Sequence, residues 1–184
     1  MEITLAWALE HALDVLEFDV AGDPHGRPRP RSAARKVKGK WTAIAYHPKK
    51  INPHSTKRAD RAWIKANAWE AAMHAAMRGK VPASPWDGAV YVAIEVFKKR
   101  TKALQKKSSP EGPILCTTRP DRDNVEKAVT DPMAAVGVFT EDSRVCCGPV
   151  TKWYASKGYG PGVRVTAIHL GDPVELARRM EARP

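Results

Sequence analysis

Two kinds of hydrophobic spacing divide the chain into elements. In AVYVAIEVF, residues 89–97, apolar Val90, Val92, Ile94 and Val96 recur at every second position, the repeat of a strand. VLEFDV, residues 15–20, alternates in the same way, and WTAIAY, residues 41–46, predicts a shorter strand. Residues 145–154 and 163–169 predict two more, around the turn SKGYGPG. Steps of three and four mark the helices. Trp63, Ala66, Trp69, Met73 and Ala76 form one stripe within residues 57–77, the longest predicted helix, and Gly79 stands just past its end. A Trp and Met stripe of this kind is core. Leu5, Leu9, Ala12 and Leu13 give residues 5–16 helical spacing; residues 123–135 and 172–183 predict two further helices, the last short and exposed.

Between these elements, AGDPHGRPRPR has Gly or Pro every few residues and predicts an extended loop. SAARKVKGKW reads as a basic turn region, and KKRTKALQKK, running into SSPEGP, as a basic polar loop. The mixture predicts an α+β fold, one compact domain with a small mixed β-sheet packed with helices. That domain spans residues 15–170, with a helical extension at 1–14 and a helical tail at 171–184. A length of 184 residues with 43% hydrophobic content supports one such core.

Charge changes the picture. The net charge is +11, unevenly placed: residues 1–23 hold six acids and no Lys or Arg, while residues 24–109 hold 21 Lys and Arg against four acids. A segment this basic fits a polyanion, because each cation set on a phosphate releases counterions. Arg27, Arg29 and Arg31 alternate, so an extended backbone would project them to one side as phosphate contacts. Lys98, Lys99 and Arg100 directly follow a strand and would line the same surface, with Arg119 and Lys152 as further DNA contacts. No apolar run approaches the ~20 residues of a membrane span, and the acidic N-terminus is not a secretory signal. Cys116, Cys146 and Cys147 show no metal or disulfide spacing and fit a reducing cytoplasm, and the vicinal Cys146 and Cys147 read as ordinary buried thiols in a strand. His47, Asn52 and His54 lack the spacing of an H-N-H nuclease.

The chemistry concentrates in RPDRDNVEKAVTDPMAAVGVFTEDSRV, residues 119–145. Asp121 and Asp123 are separated by one residue, so extended chain points both carboxylates the same way. Asp123 also suits a helix N-cap, with Glu126 completing a capping box and Lys127 one turn along the same face. A Pro at position 132 is expected to kink that helix or end it early. Glu141 and Asp142 follow as a second acidic pair. Grouped carboxylates repel unless a cation sits among them, and Mg²⁺ is a hard ion that takes such oxygens. The plain alternative is a capped helix, an ion pair and an acidic turn.

The segment resembles the signature of the RusA family of Holliday junction resolvases, in which an R-x-D-x-D-N-x-x-K-A run opens a helix. Here it stands as Arg119, Asp121, Asp123, Asn124, Lys127 and Ala128, followed by Gly137, Val138 and Phe139, then Glu141, Asp142 and Val145. GRPRPR, residues 26–31, is similar to the G-R-P-R loop of many phage-encoded members. The resemblance covers roughly residues 15–170. It implies a RusA-like homodimer that resolves four-way DNA junctions by paired nicks, in recombination and repair, in a bacterial cytoplasm and encoded by a phage or prophage. It places the metal-binding aspartates on Asp121, Asp123 and Asp142, and an essential lysine on Lys127. Glu141 stands where the family has Asp, and is a fourth candidate ligand. Mg²⁺ is the implied cofactor, with Mn²⁺ substituting, and no small-molecule cofactor is expected. The rivals are a non-catalytic branched-DNA-binding protein, a nuclease of flaps or forks, and a basic structural protein.

Overall fold

The computed structural model describes residues 3–25, 31–37, 40–46 and 58–181, with the backbone alone for those between 31 and 60. Its centre is a sheet of six strands: β1 (Asp14–Ala21), β4 (Ala89–Lys98), β5 (Ile114–Leu115), β6 (Val145–Cys147), β7 (Val150–Tyr154) and β8 (Gly162–Gly171). The order runs β1-β8-β4-β7-β5, with β6 also on β4. β8 lies antiparallel between β1 and β4, whereas β6 and β7 run parallel to β4. The sheet is therefore mixed, as the sequence predicts. β2 (Arg31–Val37) and β3 (Lys40–Tyr46) form a separate antiparallel ribbon. The first of these falls where SAARKVKGKW reads as a turn region; pairing with the apolar WTAIAY segment gives that polar run its extended form.

Helices cover both faces of the sheet. On one lie α2 (Arg58–Met77) and α3 (Arg122–Ala135). Trp69, Met73 and Met77 of α2 and Val125, Val129 and Met133 of α3 are buried there with Val90, Val92, Ile94 and Val96. β1 alternates as predicted, with Leu16, Phe18 and Val20 turned into that same core. On the other face lie α1 (Leu5–Glu10) and α4 (Pro173–Glu181), where Ala8 and Leu176 close over Tyr91, Ala93, Ile168 and Leu170. Both terminal helices thus complete one core. Burying Tyr91 and Ile168 in this way removes large apolar side chains from water, each worth about 1.5–3 kcal/mol.

Two elements depart from the predicted pattern. α1 ends at Glu10, and the leucines of the predicted stripe, Leu5, Leu9 and Leu13, are exposed; Ala12 of that stripe packs on the sheet side, together with Trp7 and Ala8 from outside it. Trp7 stacks on His11 at 4.2 Å, and Trp7 O meets His11 Nδ1 at 2.8 Å. The predicted strand over 145–154 is two strands, because Gly148 and Pro149 interrupt it. Among the described residues no helix is long and apolar enough to cross a membrane.

Candidate active site

The acidic motif enters α3 through a loop that two lysines hold from below. Lys98, at the end of β4, donates to Thr118 Oγ1 at 3.2 Å and to Arg119 O. Lys152, on β7, donates to Thr118 O at 3.0 Å and to Pro120 O at 2.7 Å. Three successive carbonyls are therefore satisfied by ammonium groups, and charged donors make the stronger class of hydrogen bond. Thr118 Oγ1 also meets Tyr154 OH at 3.0 Å, and Cys116 N–H donates to Lys152 O at 2.8 Å. The result is a fixed approach to Asp121. Both lysines, expected to face DNA, have their Nζ atoms committed to this loop.

The helix N-cap lies two residues earlier than the sequence suggests. Asp121, not Asp123, is the N-cap of α3, with φ −70° and ψ 159°. Its side chain makes no capping hydrogen bond, so the carboxylate remains exposed at the helix N-terminus. Asp123 falls in the first turn, where a negative charge complements the partial positive charge of the helix end. The proposed capping box centred on Asp123 is therefore not formed. Pro132 sits inside α3 without ending it. The helical donor that Pro132 cannot supply to Ala128 O is replaced by the Trp69 indole, which donates to that carbonyl at 2.7 Å.

Beyond α3 the chain is clamped to the segment before β4. Trp86 N–H donates to Val138 O at 2.9 Å, and Thr140 N–H donates to Trp86 O at 3.1 Å. A 3₁₀ turn, Asp142–Arg144, follows and packs against α3. Arg144 fixes it: its guanidinium pairs with Asp87 at 2.8 Å and donates to Thr140 Oγ1 at 3.1 Å. Glu141 and Asp142 stand exposed on this turn, and Glu141 Oε2 accepts from Ser143 Oγ at 3.1 Å. The carboxylates suit a hard cation in kind. Among the described residues, however, no three His, Cys, Asp or Glu side chains stand together closely enough to hold an ion.

Lys127 is exposed on α3 and lines a cleft of about 160 Å³ between α2 and α3 with His25, Trp69, Glu70 and Asp131. Burial lowers the His25 pKa from its ordinary 6.5, and the Lys65 charge adds to this against an opposing pull from Asp23. The sequence drew no attention to His25, Arg144 or Asp87; Arg144 and Asp87 meet from distant parts of the chain. Burial opposes ionisation of the Cys116 thiol, but bonds from Thr118 and Tyr154 and the charge of Lys98 outweigh it, leaving its pKa lowered. Cys146, expected to be buried, is exposed, with its Sγ 3.8 Å from that of Cys147. The Cys147 thiol is pushed up to about 12, first by burial and then by Cys146.

Of the predicted DNA contacts, Lys99 and Arg119 are exposed. Arg100 is not available. It is 6% exposed, and its guanidinium donates to the carbonyls of Ala155, Leu104, Pro110, Glu111 and Gly112. A buried cation whose donors are all satisfied organises the loop that follows β4 and has none left for a phosphate. Arg27 and Arg29 lie outside the described residues, as does the side chain of Arg31.

No curated protein matches the chain. The family model for the endodeoxyribonuclease RusA matches residues 22–167, a span that contains the acidic motif, both lysine braces and all of the sheet except β1 and the end of β8. That match covers most of the sequence, and the chain belongs to the RusA endodeoxyribonuclease family.

Proposed function

We propose that this chain is a Mg²⁺-dependent endonuclease that resolves four-way DNA junctions by paired, symmetric nicks, and that it works as a homodimer. The observation that carries the reading is Asp121, an N-cap carboxylate left exposed and uncommitted to capping, two residues before Asp123 and held by a loop anchored on Lys98 and Lys152. Asp121, Asp123 and Asp142 would hold the ion, with Glu141 as a fourth candidate and Mn²⁺ as a substitute. When bound, such an ion polarises a phosphodiester oxygen and lowers the pKa of water.

The chain's own residues supply the rest. The lysine braces orient the start of α3, so that its exposed N–H groups and the basic surface meet the phosphate backbone together. Lys127, one turn along from Asp123, would stabilise charge that develops on the phosphate. Arg27, Arg29, Arg31, Lys99 and Arg119 would position the strands. A four-way junction has two-fold related cleavage points, which two identical sites about a C2 axis would meet. The family membership supports the endonuclease class, and the basic composition supports a nucleic-acid substrate.

A substrate panel tests this: wild-type protein on a four-way junction, a flap, a fork and linear duplex, each with Mg²⁺ and with EDTA. Cutting of the junction in preference to the others, lost with EDTA, is expected. Equal cutting of the linear duplex, or junction cutting in EDTA, would contradict the reading.

A further inference from the structure

The turn SKGYGPG between β7 and β8 takes no part in the chemistry above, yet it carries Tyr159, which is 78% exposed, more than any other large apolar side chain described. Scattered exposed apolar residues are ordinary. This one differs in how it is held. Gly158 adopts φ +81°, a conformation that L side chains rarely take, and Tyr159 N–H donates to Ser156 O at 3.1 Å. Lys157 ties the turn to Glu111 through its backbone N–H at 3.0 Å and its Nζ at 2.6 Å. Gly22 N–H closes the far side on Pro161 O at 2.9 Å. The ring is displayed on a braced support.

Its surroundings suit a planar, anionic partner. Tyr159 separates two hollows. One, about 480 Å³, is lined by Lys99, Gln105 and Ser156; the other, about 370 Å³, has Val20, Phe97 and Val163 along its wall, with the Asp19 carboxylate there paired to Arg164 at 3.3 Å. The position also matters. β4 ends at Lys98, whose Nζ reaches the loop before Asp121, and the next residue, Lys99, borders the Tyr159 hollow. Ala155 N–H donates to Lys98 O at 2.9 Å, so the tyrosine turn and the acidic-motif loop meet at one end of the sheet.

We propose that Tyr159 stacks on a DNA base that has lost a stacked neighbour at a branch point, while Lys99 holds an adjacent phosphate. This rests on the branched-DNA reading above. Every base has a π-face, so the contact tolerates any sequence. Continuous duplex offers no open base face. The contact therefore selects branched or unpaired DNA, which phosphate contacts alone cannot do.

The test uses the full chain in EDTA, as wild type and as Tyr159→Ala and Tyr159→Phe, on a four-way junction and a linear duplex of the same sequence. In parallel, 5-iodouracil at the branch point is photo-crosslinked to wild-type protein, and the adduct is mapped by mass spectrometry. Tyr159→Ala is expected to weaken junction binding about tenfold, the order of one lost base–aromatic stack, and to leave duplex binding unchanged. Tyr159→Phe retains the ring and the junction affinity, and the crosslink maps to the peptide containing Tyr159. Unchanged junction binding by Tyr159→Ala, with the crosslink elsewhere, would overturn the proposal even if the junction is cut. Should wild type show no preference for junctions, the branched-DNA reading fails on its own. A single strand carrying 5-iodouracil then decides for Tyr159: an adduct there supports stacking, and its absence overturns it.

Discussion

Trp69 shows how much one donor can do. Its ring belongs to the apolar stripe of α2, and the sequence pattern reads it only as core. Its indole N–H, however, reaches Ala128 O, the carbonyl four residues before Pro132. α3 can therefore keep a buried proline and still run to Ala135. Trp69→Phe keeps an aromatic ring but orphans that carbonyl, and should cost about 1–3 kcal/mol, seen as a lower urea midpoint at unchanged slope. Pro132→Ala restores a helical N–H to the same carbonyl. Trp69→Phe should then cost markedly less in that background, and a double-mutant cycle measures the difference. Equal costs in both backgrounds would show that the hydrogen bond is not what holds the helix. The same attention to donors separates the basic residues. Lys98, Lys152 and Arg100 look alike in sequence to Lys99 and Arg119, but their donors are occupied by carbonyls that the sequence places 4 to 55 residues away.

At the level of elements, the break between β6 and β7 sets how the chain after the second acidic pair lies along β4. Gly148 has φ +127°, and a Cβ there would stand 2.0 Å from Val92 O. The backbone of this residue lies directly on β4, and the strand steps past it, with Val145 and Cys147 paired to Val90 and Tyr91 before β7 resumes at Ile94. Gly148→Ala should therefore destabilise the fold by at least about 2 kcal/mol, combining backbone strain with the clash. It should also disturb the turn at Asp142, three residues before β6, so that cutting falls further than stability alone explains. A urea midpoint within error of wild type would refute the close approach. The periodicity of AVYVAIEVF was enough to find β4, and the stripe of α2 enough to find the longest helix. It could not find the break at Gly148, since residues 145–154 read as one strand and the cause lies across the sheet at Val92. Nor could it place α1, where helical spacing of leucines suggested one face and the sheet received another.

For the whole molecule, α-helices on both faces of one mixed sheet bring the start of α3, the end of β4 and the β7–β8 turn into a shared neighbourhood, while the terminal helices close the opposite face. The acidic motif was legible because its carboxylates, lysine and helix signals are local. The supports were not: Lys98, Lys152, Asp87 and Arg144 act through tertiary contacts that no spacing encodes. In a chain of net charge +11, replacing one aspartate should barely alter attraction for a polyanion, whereas on the proposed reading it would remove a metal ligand. Binding and cutting should therefore separate in one variant. The most direct measurement compares wild type and Asp123→Asn on the same four-way junction, with affinity read in EDTA and nicks read after adding Mg²⁺. Asp123→Asn should bind the junction at least as tightly as wild type and cut it slower by roughly three orders of magnitude or more, on the order expected when a metal-dependent site loses a ligand. Mg²⁺-dependent nicking of the junction at the wild-type rate would contradict this reading.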